Sequence, residues 1–199
     1  MTIVDAQPAA EAGGRLLTAE EYADLSLPYP SELVRGRVTA LNQPRPRHGF
    51  VCANVFRLID RHVSRYDLGY VFPNDTGFIT RRGPDSVRGP DVCFYSYARL
   101  PKGRLPDGYP EVAPELAFEV ISPSDRWRDV LEKVVEYLDA GVLAVCVLDP
   151  QRQTAHVNPA ERAGNMLTRD DELSFPEILP GFSVRVSDLF TGAAVEGVE

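Results

Sequence analysis

The sequence has few cysteines, and their placement excludes a disulfide framework. Among 199 residues there are three, Cys52, Cys93 and Cys146, each in an apolar stretch and far from the others. Disulfide scaffolds and cysteine-based zinc sites need paired, closely spaced thiols, and no CxxC spacing is present. We therefore expect three buried free thiols and no cysteine-based zinc site.

The chain also lacks a long apolar run. No stretch approaches the roughly 20 residues that a membrane-spanning helix needs, and Asp5 and Glu11 fall where a signal peptide has basic and apolar residues. We expect a cytoplasmic protein with no membrane partner. Composition and length predict one domain over residues 17–190, a flexible arm at 1–16 and a frayed tail at 191–199.

Positive charge is in deficit, with 21 Lys and Arg against 29 Asp and Glu and a formal net charge of −8. A protein that simply coats nucleic acid needs a basic balance, so this class is disfavoured. An enzyme that gathers acids around a cation is not excluded, because a local basic face can still hold phosphates. No internal repeat, phosphate-binding glycine loop or nucleophile elbow is present either.

The sequence does contain two acids inside apolar strand patterns. Asp91 immediately precedes the apolar residues 92–94, and Glu119 lies within the apolar run 116–121. An isolated buried carboxylate is costly unless it is paired or binds a metal. Two such acids on neighbouring strands can share one divalent cation, which is the central hypothesis for this chain.

A helix and a strand follow the second acid. Ser124 is the predicted N-cap of a helix with apolar residues at every fourth position, and residues 142–148 read as a strand buried on both faces. A strand, a helix and a strand predict a crossover in a partly parallel sheet. Lys133 lies in mid-helix, where it can point back over Glu119, and Tyr137 follows one turn later.

The remaining elements complete a mixed α/β fold of the α+β type. They are a capping-box helix at 18–25, a hairpin at 32–41, a long helix at 48–66, short strands at 69–72 and 76–79, a loop at 81–85, an irregular loop at 100–114, an edge strand at 154–157, and a C-terminal strand pair at 173–175 and 182–186.

Several charged residues outside the stretch that contains Asp91, Glu119 and Lys133 are open to two interpretations each. Glu32, at the start of the hairpin, is either an additional acid near the metal or an exposed strand-end carboxylate. Asp75 is a weaker ligand candidate, and His48 either lies near the site or caps and packs the long helix. Five arginines are candidates for phosphate contacts or for a solvated helix face: Arg45, Arg47, Arg57, Arg61 and Arg65.

Taken in chain order, several of these phrases resemble the Uma-two family. They are Glu32 before a hairpin turn, His48 at a helix start, Pro90-Asp91, Glu119-Val120-Ile121-Ser122-Pro123-Ser124, Asp129, Lys133, Tyr137, Gly141-Val142 and Asp149-Pro150. This family consists of restriction-endonuclease-like domains of the PD-(D/E)XK nuclease superfamily, and the resemblance covers roughly residues 18 to 190. It implies a central mixed β-sheet flanked by helices, with an N-terminal hairpin and a C-terminal strand pair.

The resemblance also implies an activity, the hydrolysis of DNA phosphodiester bonds by a metal-dependent endonuclease. Asp91, Glu119 and the backbone carbonyl of Val120 would bind the metal, and this all-oxygen set suits Mg²⁺ or Mn²⁺. In the superfamily a lysine stands two residues after the second acid, where this chain has Ile121. Lys133 would supply the ammonium group instead, with Glu32 as a further catalytic residue and with His48 and Tyr137 as accessory residues.

Two alternatives remain open. Asp91 could be a turn acid, with Glu119 and Lys133 as an internal ion pair; the protein would then be a degenerate nuclease-fold module that binds nucleic acid or a protein partner. A metal hydrolase acting on a small phosphate ester is the other. An exposed sheet edge could also support a homodimer.

Overall fold

The computed structural model describes residues 15–123 and 125–192. In chain order its elements are α1 (Ala19–Ala23), β1 (Ser31–Val34), β2 (Arg37–Ala40), α2 (Pro46–Tyr66), β3 (Gly69–Pro73), β4 (Phe78–Arg81), β5 (Ser86–Arg88), β6 (Val92–Ser96), β7 (Leu116–Val120), α3 (Trp127–Asp139), β8 (Ala144–Asp149), β9 (Thr154–Pro159), β10 (Asn165–Leu167), β11 (Glu172–Ser174), β12 (Ser183–Arg185) and α4 (Val186–Phe190).

The central sheet has six strands in the order β10-β9-β8-β7-β6-β3. Strands β7 and β8 are parallel and are joined by α3, while every other pair in this sheet is antiparallel. All six residues of β8 are buried, as is typical of a strand covered on both faces. The predicted mixed central sheet, crossover and doubly buried strand are therefore confirmed.

Side-chain alternation along β7 determines which face of the sheet carries Glu119, the predicted second metal ligand. Phe118 and Val120 pack in the core under α2, whereas Ala117 packs in a second core under α3. Because successive side chains of a strand point to opposite faces, Glu119 shares the α3 face with Ala117. Ile121, just past the strand, also packs against the second core, so the residue in the superfamily's lysine position is a packing residue here.

Helix α2 covers the other face of the sheet. Its residues Val51, Val55, Ile59 and Val63 recur at every fourth position and are at most 1 % exposed. The helix ends at Tyr66, and the next residue, Asp67, adopts a left-handed conformation that closes the last turn. The predicted long helix is confirmed, and it begins at Pro46.

A second, four-stranded sheet has the order β2-β1-β5-β4 and contains the predicted hairpin. Strand β5 follows the predicted loop at 81–85 and was not expected. In its antiparallel pairing with β1, Leu33 lies opposite Val87. The same register brings Glu32 and Arg88, one residue outward on each strand, next to each other.

The structure corrects three other predictions. Strand β9 is not an edge strand, because β10 pairs with it. Helix α3 begins at Trp127 with Arg126 as N-cap, two residues later than the predicted cap at Ser124, which itself lies outside the described residues. Helix α4 was not expected, whereas the C-terminal pair of β11 and β12 is confirmed. The predicted arm and tail lie mostly outside the described residues.

All three cysteines are free; Cys93 and Cys146 are buried, and Cys52 is half-buried. Over residues 15–123 and 125–192, no helix has the length and apolar character needed to cross a membrane.

Candidate active site

A cavity of about 640 Å³ opens where β7 ends, beside the first turn of α2 and the start of α3. Five acidic side chains and four basic ones line it. The acids are Asp75, Asp91, Glu119, Asp125 and Asp129, and the basic residues are Arg45, His48, Arg126 and Lys133.

Asp91 stands directly before β6 and is held by two contacts. Its Oδ2 accepts a hydrogen bond of 2.6 Å from the backbone N–H of Val120, on the neighbouring strand β7. Its Oδ1 lies 3.3 Å from Nε2 of His48, in the first turn of α2. Asp91 is 9 % exposed, so this carboxylate is fixed at the wall of the cavity between two elements.

The side chain of Glu119 contacts two residues of helix α3. Its Oε1 accepts a hydrogen bond of 2.7 Å from the Tyr137 hydroxyl, and its Oε2 lies 3.6 Å from Nζ of Lys133. The side chain is 13 % exposed. Burial, together with the negative charge of Asp91, outweighs the favourable contacts of Lys133 and Tyr137 and raises the pKa of Glu119 to about 7.

Lys133 lies between two carboxylates. Its Nζ is 3.2 Å from Oε1 of Glu32 and 3.6 Å from Oε2 of Glu119. Burial alone would lower the pKa of this lysine, but the charges of Glu119 and Glu32 outweigh burial and raise it above its usual value. The side chain is therefore a permanent ammonium at neutral pH, able to donate and unable to accept a proton.

Glu32 does not line the cavity but forms an ion pair with Lys133, which does. It is 3 % exposed, so its interpretation as an exposed strand-end carboxylate is wrong. Its Oε2 accepts a hydrogen bond of 2.7 Å from Nη1 of Arg88. The same guanidinium donates to Glu136 on α3 at 2.8 Å and 3.0 Å, so one arginine ties the second sheet to the helix that carries Lys133.

Sequence reasoning missed Arg88. The available signal was the acid Glu32 in an apolar strand, which needed a cationic partner by the same argument that singled out Asp91 and Glu119. The identity of that partner depends on the pairing of β1 with β5, and β5 was not predicted.

The remaining predicted acids and histidine lie at the same cavity. Burial lowers the pKa of His48, but its hydrogen bond to Asp91 and the charges of Asp91 and Asp75 raise it overall. Burial and the charge of Asp91 raise the pKa of Asp75 to about 6. Gly89 permits this proximity, since a Cβ there would lie 2.1 Å from the backbone oxygen of Asp75.

The arginines divide into two groups. Arg45 lines the cavity, whereas Arg57, Arg61 and Arg65 are exposed farther along α2 and do not. At 1.5 Å of rise per residue, Arg61 lies about 20 Å along the helix from its first turn. Arg47, in the first turn, is half-buried and does not line the cavity either.

The donor set of the cavity fits a hard divalent cation. Carboxylate and carbonyl oxygens are the ligands that Mg²⁺ and Mn²⁺ prefer. Two carboxyls at the cavity, those of Glu119 and Asp75, have pKa values above their usual range, partly because of the charge of Asp91. A bound cation would relieve this repulsion and favour the ionised forms.

Comparison with known proteins places the chain in a family. The model of the Uma2 family, described as "Putative restriction endonuclease", matches residues 19–187. A crystal structure of a "putative nuclease" from Anabaena variabilis superposes with a TM-score of 0.76 at 20 % identity, over 89 % of this chain and 99 % of that one, which shows a shared fold. No curated protein matches the sequence. With a family match over most of its length, the chain belongs to the Uma2 family.

Proposed function

We propose that the protein is a metal-dependent endonuclease that hydrolyses DNA phosphodiester bonds with Mg²⁺ or Mn²⁺. The observation that carries this proposal is the meeting of Asp91, Glu119 and Lys133 at one open cavity. The family's description, "Putative restriction endonuclease", supports the nuclease class.

The metal would be held by Asp91, Glu119 and the backbone carbonyl of Val120. When bound, a divalent cation makes a water molecule nucleophilic near neutral pH and offsets the charge that develops on the phosphate. The hydrogen bond from the Val120 N–H to Asp91 fixes the ligand residues of two adjacent strands relative to each other.

Lys133 would act on the substrate as a cation. Its pKa is raised, so it remains protonated and cannot serve as a general base. Its ammonium can hydrogen-bond a phosphate oxygen and stabilise the negative charge that accumulates there, the kind of preorganised electrostatic contact that contributes most to such reactions. Glu32, held by Arg88, positions this ammonium at the cavity wall.

Tyr137 would fix the orientation of Glu119. Its hydroxyl is fully buried and donates to Oε1, which leaves Oε2 directed to the side of Lys133. Tyr137 does not line the cavity, so its role is positioning rather than contact with substrate.

Among the five candidate arginines, Arg45 is the best placed to contact a phosphate next to the scissile bond, since it lines the cavity. Arg57, Arg61 and Arg65 would contact phosphates farther along a bound duplex. Arg45→Ala should weaken cleavage strongly, whereas Arg61→Ala should mainly reduce the salt dependence of binding, because one phosphate contact is lost.

A module without activity is the second candidate, and the ion pairs of Lys133 favour it. Glu32 and Glu119 are already paired with this ammonium, as expected for acids that only stabilise the fold. Such a module would retain the fold and bind a partner without cutting DNA.

The two candidates separate in a plasmid-nicking assay with Mg²⁺ or Mn²⁺. The sequence has only one other lysine, Lys102, which is exposed and pairs with Asp67. We expect Lys133→Met to lower nicking by roughly 100-fold or more and Lys102→Met to nick like the wild type. A wild-type protein that binds plasmid and does not nick it, with either metal, would support the inactive module.

A further inference from the structure

Two side chains with affinity for transition metals lie one helical turn apart at the start of α2. His48 and Cys52 are four positions apart, a spacing that puts both on the same face of a helix. The distance from Nδ1 of His48 to Sγ of Cys52 is 3.5 Å. Pairs of metal ligands at this spacing are a common way for one helix to bind zinc.

Asp91 adds a third donor from the neighbouring sheet. Taking one ligand atom each from His48, Cys52 and Asp91, all three atoms lie within 4.8 Å of one another. It is the sole cluster of three or more His, Cys, Asp or Glu side chains with this property in the described part of the chain. Ligands of a tetrahedral zinc ion lie roughly 3.3–3.8 Å apart, so a small contraction would suffice.

The three side chains line a second cavity of about 300 Å³, which adjoins the one lined by Glu119 and Lys133 and shares His48, Asp75 and Asp91 with it. Asp75 also lines it but is not part of the cluster of three donors. A site with three protein donors and free space beside them resembles an open zinc site rather than a closed structural one.

Against the expectation from cysteine spacing alone, we propose that His48, Cys52 and Asp91 form a binding site for a zinc-class transition metal, with Zn²⁺ or Co²⁺ as the ion. The nitrogen and sulfur donors select such ions over Mg²⁺, which prefers oxygen. On binding, the Cys52 thiol loses its proton to solvent and its sulfur becomes the ligand. Burial and, after it, the charges of the surrounding carboxylates raise the pKa of the free Cys52 thiol, and the same carboxylates favour a bound cation.

The proposed site shares Asp91 with the hard-metal site, and this has a regulatory consequence that rests on the proposed function. When Asp91 binds Zn²⁺ beside α2, its carboxylate is no longer available to bind Mg²⁺ together with Glu119 and Val120 of β7. Zinc should therefore inhibit nicking, and excess Mg²⁺ should partly relieve the inhibition.

Cobalt spectroscopy tests the site without reference to activity. Co²⁺ is titrated into the wild type, Cys52→Ala and the matched control Cys146→Ala, whose cysteine is buried in the core, after thermal melts confirm folding. We expect a thiolate-to-cobalt charge-transfer band in the wild type and in Cys146→Ala, and no band in Cys52→Ala. His48→Gln, a second variant of the site, should weaken Co²⁺ binding about tenfold or more.

The absence of a band in the wild type, or the same band in Cys52→Ala, would overturn the proposal. Nicking at fixed Mg²⁺ with and without Zn²⁺ then tests competition. Zn²⁺ should lower the nicking rate at least about tenfold in the wild type and far less in Cys52→Ala. An equal reduction in the two proteins would overturn the inhibition. If no sample nicks DNA, the proposed endonuclease function fails, while the cobalt band still decides the metal site.

Discussion

The raised pKa of Glu119 leads to a prediction about stability. Its carboxyl is buried beside Asp91, and its pKa is about 7 in the folded protein against 4.5 when unperturbed. The folded state therefore holds a proton between these two values that the unfolded state has released. Without metal, stability should fall as the pH rises from about 4.5 through about 7, and the contribution of Glu119 should be constant above that range.

The size of this effect follows from the shift. At about 1.4 kcal/mol per pKa unit, the change from 4.5 to about 7 corresponds to about 3 kcal/mol of stability lost across the window. Glu119→Gln removes the titrating group and retains an oxygen that can accept the Tyr137 hydrogen bond. His48, whose pKa is also raised, likewise makes the stability of the protein fall as the pH rises. The contribution of Glu119 is therefore the difference between the pH dependence of the wild type and that of Glu119→Gln.

The assay is urea unfolding from pH 4.5 to 8.5 in the presence of a chelator. The wild type should lose about 3 kcal/mol relative to Glu119→Gln over this range. Glu132→Gln, an exposed control on the same helix, should run parallel to the wild type. Saturating Mg²⁺ should flatten the wild-type curve, because a cation favours the ionised carboxylate. Parallel curves for the wild type and Glu119→Gln without metal would refute the reasoning.

Two further predictions concern the residues that support the site. Arg88→Ala leaves Glu32 and Glu136 without their shared guanidinium and should cost roughly 3 kcal/mol or more in urea unfolding; unchanged stability would contradict the role given to this arginine. Tyr137→Phe removes a hydrogen bond that stabilises the Glu119 carboxylate, so it should cost about 1 kcal/mol and shift the acidic limb of the pH–nicking profile to higher pH. An unshifted profile would show that the hydroxyl does not tune this acid.

The sequence predicted the elements with long, regular patterns. Helix α2 has apolar residues at every fourth position from Val51 to Val63, and the parallel pair β7 and β8 consists of nearly continuous apolar runs. Strands β5 and β10 have three residues each and no alternating apolar residues beside them, whereas β12, equally short, lies within the alternating run 182–186. The late start of α3 at Trp127 reflects a weak signal, since the N-cap Arg126 makes no side-chain capping bond.

Residues of the candidate site could be predicted where a charged side chain lies in an apolar strand, because a buried charge needs an ion-pair partner or a metal. Asp91 and Glu119 stood out as acids in apolar strands, and Lys133 was placed by helical spacing alone. The partnership of Glu32 with Arg88 was not predictable, because it depends on a pairing between strands far apart in sequence. The separation of the α2 arginines from the cavity likewise depends on which end of that helix meets the sheet, which the arginine spacing does not reveal.

Calorimetric titration of Mg²⁺ and Mn²⁺ into the wild type and Asp91→Asn tests the central claim most directly, with plasmid nicking measured on the same samples. The asparagine oxygen can still accept the Val120 N–H, so the fold should persist. We predict saturable binding and nicking in the wild type, and neither in a variant that melts within a few degrees of it. If the wild type binds no metal and Asp91→Asn merely melts earlier, the acids are structural and the account of the site is wrong.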